Sequence, residues 1–258
     1  MFQLTPDQTA TLKDWFLPDR PGPLVGLHVI RTGNGACFVD RWPDPRAVAV
    51  ETAGNYSLAG DPDALNPADL QCRISGFVEA PEQFVPLLRA TFSGLRVWDR
   101  VILDLRGRPH FARQRGSLVR RLAPTDTHHL WGLGPEAAWI AKTWGGPPGL
   151  ASSGCAWGAF AEDGRLVSVA CTFFVGESYE DIGVVTEPEF RGQGLALACA
   201  GALCEDVRDR KRRPSWTTSP DNIASLRVAE KLGFSVRRRD CLYVVGIPIP
   251  EPARPRTA

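Results

Sequence analysis

The segment that most constrains the fold runs from Ile182 to Ala196, where a β-rich run turns through two glycines and enters a helix at once. Gly192 and Gly194 carry no side chains, so successive backbone N–H groups of the turn can point toward one place. The start of the helix adds unpaired donors and a partial positive charge. The pattern therefore predicts an anion site, for which a diphosphate is a suitable ligand.

The spacing of the glycines separates this loop from two other phosphate-binding loops. No Gly-Lys-Ser/Thr follows it, and the Gly-x-Gly-x-x-Gly spacing of dinucleotide-binding loops is absent. A simpler alternative is that the glycines serve only the turn from strand to helix.

With its flanking residues, the loop resembles the central signature of the GNAT acyltransferase superfamily. Arg191-x-x-Gly194-x-Ala196 fits the pattern Gln/Arg-x-x-Gly-x-Gly/Ala, and Thr186–Phe190 is similar to the Val-x-Pro-x-Tyr that precedes it. Downstream, Asn222-Ile223-Ala224-Ser225 and the ending Glu230-Lys231-Leu232-Gly233-Phe234 resemble the family's Asn-x-x-Ala/Ser helix, which closes on Lys-Leu-Gly-Phe. The resemblance covers about residues 117–248.

The resemblance implies a mixed α/β sheet whose fourth and fifth strands diverge and leave a wedge for the pantetheine arm of acetyl-CoA. Val184, Val185 and Thr186 would line this arm and the thioester, and Asn222 would contact the arm or order the wedge. Backbone amides of the loop would hold the pyrophosphate. The loop residues are Arg191, Gly192, Gln193, Gly194, Leu195 and Ala196.

The implied reaction is transfer of an acetyl group from acetyl-CoA to a primary amine of a small molecule or peptide, by direct attack. Such a reaction needs aligned substrates, a stabilised oxyanion and a base for the ammonium proton. Glu177, Glu180 and Asp181 are the candidate bases, although each also fits a solvated strand end. Tyr243 on the last strand is the candidate acid.

Two positions depart from the family's pattern. Ala229 stands where many members have a tyrosine that protonates the leaving thiolate, and the strand at Trp216-Thr217-Thr218 offers no carboxylate. These departures leave an alternative function open, a catalytically weak acyl-CoA-binding or regulatory module.

Composition narrows the classes of partner. The chain has 30 basic and 29 acidic residues among 258, without the basic excess of a nucleic-acid binder. Its seven cysteines form no Cys-x-x-Cys pair, so we expect free thiols. The adjacent His128 and His129 cannot share a helix face, and we therefore expect no metal site. The N-terminus lacks a signal-peptide pattern, and no apolar run approaches the ~18 residues of a membrane span. We therefore expect a soluble, cytoplasmic protein with no membrane partner.

The chain divides at a polar, charged segment over residues 106–116, which is typical of a linker. Residues 1–113 predict an α/β domain, 117–248 the GNAT-like domain, and 249–258 a flexible, proline-rich tail. In the first half, the order of strands, the Gly60-Asp61 turn and helices resembles a degenerate copy of the same fold, as in tandem members. Helical patterns cover residues 5–16, 136–144 and 194–211.

Overall fold

A computed structural model describes residues 1–111 and 118–252 of the chain. Within these residues, twelve strands form one mixed sheet. The strands are β1 (Phe2–Gln3), β2 (Ala36–Val39), β3 (Ala47–Thr52), β4 (Asn55–Gly60), β5 (Gly76–Glu79), β6 (Arg96–Asp104), β7 (Leu118–Arg121), β8 (Ala156–Phe160), β9 (Leu166–Val175), β10 (Tyr179–Thr186), β11 (Arg213–Thr218) and β12 (Ser235–Val245).

Eight α-helices pack on this sheet within the same residues. They are α1 (Pro6–Ala10), α2 (Val25–Thr32), α3 (Pro67–Gln71), α4 (Val85–Thr91), α5 (Thr127–Trp131), α6 (Pro147–Ser152), α7 (Leu195–Asp209) and α8 (Ile223–Leu232). Short 3-10 helices cover Lys13–Phe16, Pro62–Ala64, Glu82–Phe84, Pro124–Asp126, Ala138–Trp144 and Pro188–Phe190. None of the helices in the described ranges combines the length and apolar composition that a bilayer crossing requires.

The two halves of the chain exchange their last strands. The sheet order is β1-β2-β3-β4-β5-β12-β6-β11-β10-β9-β8-β7, so β6 of the first half lies between β11 and β12 of the second. In return, β12 lies between β5 and β6. Each half also has one parallel pair, β4 with β5 and β10 with β11, while the other neighbours are antiparallel. The predicted mixed α/β sheet is present, and the two halves share one arrangement of strands.

β10 and β11 separate partway along their length. Their pairing ends at Ile182 opposite Trp216, but β10 continues to Thr186 against β9 on its other side. The edge of β10 from Gly183 to Thr186 therefore borders a wedge-shaped gap within the described structure. Backbone groups along such an edge lack strand partners and are available to a ligand.

Apolar layers cover both faces of the sheet. On one, here called the back face, Ile182 and Trp216 pack with Leu203 of α7 and Leu232 of α8. The opposite, or front, face packs against α2, α6 and the Ala138–Trp144 3-10 helix. Side chains alternate between the two faces along a strand, so the residues on either side of Ile182 and of Trp216 point to the front face. This alternation decides which candidate residues can meet at the wedge.

All seven cysteines are free thiols, as expected. Four of them, Cys37, Cys171, Cys199 and Cys204, are buried among apolar residues. Burial raises the pKa of Cys37 to about 11, so this thiol stays protonated at neutral pH. These four cysteines act as small core residues.

Candidate active site

The loop between β10 and α7 has the backbone conformation that its glycines allow. Gly192 has φ +81° and Gly194 has φ +78°, both in the left-handed region that disfavours other residues. A Cβ atom added at Gly192 would meet no atom within 4 Å, so the loop opens to solvent there. Glycine at 192 is thus explained by backbone conformation and not by close packing.

The first turn of α7 faces this open loop. Gly194 occupies the N-cap position, and no side chain of the described residues caps the helix. Leu195 is buried and anchors the helix in the back-face core, whereas Gly192 and Gln193 are exposed and Ala196 is half-buried. An uncapped start of a 15-residue helix offers backbone donors and a favourable dipole to an anion.

The side chain of Arg191 holds the loop in place. Its Nε donates to the carbonyl of Thr186 at 3.2 Å, and its Nη2 donates to Glu136 at 2.8 Å. Glu187 accepts a hydrogen bond from the Gly134 backbone N–H at 2.7 Å. These contacts tie the loop to the segment before the Ala138–Trp144 helix, so the arginine positions the backbone and its guanidinium is already occupied.

The end of β10 is fixed from its β9 side. The Ser168 hydroxyl donates to the carbonyl of Val185 at 2.8 Å and lies 2.8 Å from the hydroxyl of Thr186. Val184 packs against the back-face core and Val185 against the front-face core. All three predicted wedge residues, 184–186, therefore lie along the strand edge that borders the gap.

Asp181 lies on the front face where β10 and β11 begin to diverge. Its Oδ1 accepts hydrogen bonds from Ser215 at 2.9 Å and from Thr217 at 3.0 Å. Burial raises the pKa of this carboxyl to about 6, although the two hydroxyls and the charges of Arg100 and Arg238 oppose the rise. A carboxyl with this pKa is largely ionised at neutral pH and is well suited to accept a proton.

Glu180 points to the back face, away from Asp181. Its carboxylate is fully buried and forms salt bridges with Arg210 at 2.7 Å and Arg212 at 3.1 Å, and Thr172 donates to it. Burial favours the neutral form, but the hydrogen bonds and charge of the two arginines outweigh it and lower the pKa. This arrangement stabilises a permanent carboxylate and leaves it without a proton-accepting role.

The structure places three other predicted site residues as follows. Glu177 forms an exposed salt bridge with Arg31 at 2.8 Å. Tyr243 pairs with strands β5 and β6 and packs on the core of the first half, and burial raises its pKa. Asn222 accepts a hydrogen bond from the Ser225 N–H at 3.2 Å and so caps α8. Among the four candidate catalytic residues, Asp181 is the one placed at the base of the wedge.

Three residues near Asp181 were missed by sequence reasoning. Ser215 and Thr217 flank Trp216 on β11, so both hydroxyls point to the same face of the strand. This polar–apolar alternation is visible in the sequence and could have indicated them. Arg100 comes from β6 of the other half, and no local pattern indicates its position. In residues 1–111 and 118–252, no group of three or more His, Cys, Asp or Glu side chains could hold a metal ion.

Comparisons with known proteins agree with this geometry. The model of the GNAT acetyltransferase family matches residues 142–243. An uncharacterized N-acetyltransferase of Streptomyces virginiae is 43% identical over 212 residues, 81% of this chain and 90% of that protein. The uncharacterized N-acetyltransferase YdfB of Bacillus subtilis is 26% identical over 265 residues, 95% of this chain and 98% of that protein.

Solved structures share the fold of both halves. A GCN5-related N-acetyltransferase-like protein from Streptococcus suis superposes with a TM-score of 0.69 at 18% identity, covering 93% of this chain and 99% of that one. A tandem GNAT protein from the clavulanic acid biosynthesis pathway superposes with a TM-score of 0.58 at 16% identity, covering 95% and 96%. The family resemblance predicted from the loop and the Asn222 helix is thereby confirmed: this chain belongs to the GNAT acetyltransferase family and is an acyltransferase.

Proposed function

We propose that this enzyme transfers an acetyl group from acetyl-CoA to a primary amine of a small molecule or peptide, by direct attack within a ternary complex. The observation that carries the proposal is the open loop at residues 191–196, followed by an uncapped helix and preceded by an unpaired strand edge. Backbone donors of this kind suit a pyrophosphate, and the gap beside β10 suits the pantetheine arm.

The reaction requires one bond to form and one to break. The amine nitrogen attacks the thioester carbonyl, the C–S bond breaks, and CoA leaves as a thiolate. A backbone N–H of the free β10 edge, at Val184 or Val185, would stabilise the oxyanion. Asp181 is our candidate for the base that takes a proton from the incoming ammonium group, which frees the nitrogen lone pair for the attack.

Among the described residues, neither position considered for the acid, 229 or 243, offers a proton donor to the leaving thiolate. Ala229, at the position where many family members carry a tyrosine, is fully buried within α8. Tyr243 packs in the core of the first half and does not border the wedge. We therefore expect the thiolate to take its proton from solvent.

The phosphate site can be tested by placing a negative charge in the loop. Gly192→Glu should weaken acetyl-CoA binding about 10- to 100-fold, measured by calorimetry, because the new carboxylate repels the diphosphate. Gly164 is the matched control, since it has φ +82° and no atom within 4 Å of an added Cβ, but it lies in the β8–β9 turn. Gly164→Glu should carry the same backbone strain and leave the affinity unchanged.

Two results would contradict the site. Equal affinity in wild type and Gly192→Glu would show that the loop does not hold the diphosphate. An equal loss in both variants would indicate general destabilisation. Acetyl-CoA binding without turnover on any amine would favour a binding or regulatory module over an enzyme that acetylates amines.

A further inference from the structure

One residue connects Asp181 to a guanidinium group on the same face of the sheet. The Thr217 hydroxyl donates to Asp181 Oδ1 at 3.0 Å, and the Thr217 carbonyl accepts from Arg100 Nη2 at 3.2 Å. Arg100 precedes Val101, which packs in the back-face core, so its side chain points to the front face. A carboxylate and a guanidinium thus lie side by side where β10, β11 and β6 meet.

Arg100 has more donors than partners. Its Nε is buried without a hydrogen bond, and no carboxylate of the described residues lies within 4.0 Å of its nitrogens. The guanidinium carbon stacks 4.0 Å from the ring centre of Trp98, which fixes its plane. Burial lowers its pKa to about 10, so it is still charged at neutral pH. A half-buried cation that lacks an ion pair is costly unless a ligand supplies the anion.

A second guanidinium stands on the neighbouring strand. Arg238 lies opposite Ile102 in the β6–β12 ladder and shares the front face with Arg100. Its Nε donates to Asp240 at 3.0 Å and its Nη1 donates to the carbonyl of Pro21, but its Nη2 is buried without a partner. The front face beside Asp181 therefore carries two arginines with unused buried donors.

We infer that the acceptor is an amine that also carries a carboxylate, as a free amino acid does, with Arg100 binding the carboxylate and Asp181 receiving the amine. This inference rests on the proposed function and names its class of acceptor. Because the charges of Asp181 and Arg100 offset each other, a simple ammonium group would add an unbalanced positive charge, whereas an amino acid carries its own carboxylate. Arg238 supplies a second donor on the carboxylate side. Arg100 is then a specificity residue contributed by the first half.

The inference predicts a preference that can be measured with matched acceptors. Common amino acids are compared with the amines that lack only the carboxylate, for example phenylalanine with 2-phenylethylamine. Wild type should acetylate the preferred amino acid with a kcat/KM at least about 10-fold higher than that of its decarboxylated partner. The loss of one hydrogen bond to a charged group lowers kcat/KM by about this factor. Release of CoA thiol from acetyl-CoA gives the rate.

Arg100→Gln should remove this preference. We expect kcat/KM for the amino acid to fall about 10- to 100-fold, while that for the matching amine changes less than about threefold. Arg100→Lys should recover part of the preference because it keeps the charge. Arg239→Gln is the control, since Arg239 is exposed on the neighbouring strand β12 and lies opposite the back-face residue Val101. It should behave like wild type.

The outcomes separate the inference from the proposed function. Amines that are acetylated equally well with and without the carboxylate, or an unchanged preference in Arg100→Gln, overturn the acceptor class and leave the acetyltransferase proposal standing. Acetyl-CoA binding with no turnover in either series overturns both. Thermal melting identifies a variant that fails to fold, in which case Arg100→Lys and the wild-type preference decide the question.

Discussion

Replacing Asp181 with asparagine should change stability and activity in opposite directions. The carboxyl is 5% exposed and its pKa rises, through burial, from an ordinary 3.8 to about 6. Because the folded-state pKa is raised, the protonated carboxyl contributes to the free energy of unfolding. This contribution is fully present below pH 3.8 and is lost as the pH rises through about 6. At neutral pH the ionised Asp181 therefore destabilises the fold, and asparagine removes that charge at nearly constant volume.

The magnitude follows from the two pKa values. Each pH unit between 3.8 and about 6 costs the folded state about 1.4 kcal/mol, or about 3 kcal/mol in all. Asparagine must rearrange its hydrogen bonds with Ser215 and Thr217, so the pH trend is a sharper test than the absolute value. Between pH 5 and pH 8, the free energy of unfolding of Asp181→Asn minus that of wild type should rise by about 1.4 kcal/mol.

Urea denaturation at several pH values measures this trend, and the neighbouring Glu180 supplies the control. The pKa of Glu180 is lowered by its arginine partners, so its contribution is present at neutral pH and is lost as the pH falls through the folded-state pKa. Glu180→Gln should therefore lose about 3–5 kcal/mol at pH 7, because Arg210 and Arg212 are left without their shared carboxylate.

The activity of Asp181→Asn should fall by a factor of about 10²–10⁴, the usual contribution of a general base. In wild type, kcat/KM should rise with pH through about 6 as Asp181 loses its proton, and the variant should lack this rise. A variant that is less stable than wild type by a pH-independent amount would refute the electrostatic reasoning. Retained activity would refute the role of Asp181 as base.

Two further predictions concern the fold. Leu203→Ala in α7 should cost about 2–5 kcal/mol in urea denaturation, because this fully buried leucine lies in the back-face core; a loss below about 1 kcal/mol would contradict that packing. Residues 117–248 expressed alone should show no cooperative thermal transition, because β6 would be missing between β11 and β12, and adding residues 1–113 should restore one. A cooperative, acetyl-CoA-binding second half would contradict this expectation.

Local signals were sufficient for the loop and the helices around it. The predicted helix from Gly194 is observed as α7, and the helix capped by Asn222 ends at Gly233, which has φ +96°. Helix α8 carries its own start and stop residues, and α7 follows directly on the two glycines of the loop, so tertiary contacts were not needed to locate them. Residues 112–116 of the predicted linker and 253–258 of the predicted tail lie outside the described residues.

Weaker local signals gave wrong or missing elements. The predicted helix over 5–16 is divided into α1 and the 3-10 helix Lys13–Phe16, and the 136–144 pattern is a 3-10 helix over Ala138–Trp144. Helix α2 was missed because no capping side chain marks its start.

The choice between Glu180 and Asp181 could not be made from sequence. Adjacent strand residues point to opposite faces of the sheet. The role of each carboxylate therefore depends on its partners on that face, which are Arg210 for Glu180 and the hydroxyls of β11 for Asp181. The position of Arg100 depends on the strand exchange, which pairs residues more than a hundred positions apart in the chain. Such pairing depends on the complete sheet, and no local pattern encodes it.

The strand exchange also explains how two halves with one arrangement of strands can have different tasks. In the first half, the connection after β4 carries Asp61 where the second half has its open glycine loop. The Asp61 carboxylate accepts a hydrogen bond from the Asp63 N–H at 2.9 Å and forms a salt bridge with Arg46. This turn therefore contains its own anion, and the Asp63 N–H is already hydrogen-bonded. A diphosphate would meet repulsion there. Through β6, however, the first half places Arg100 beside Asp181, and our inference gives it a part in acceptor recognition even though its own turn carries an anion where the second half has glycines.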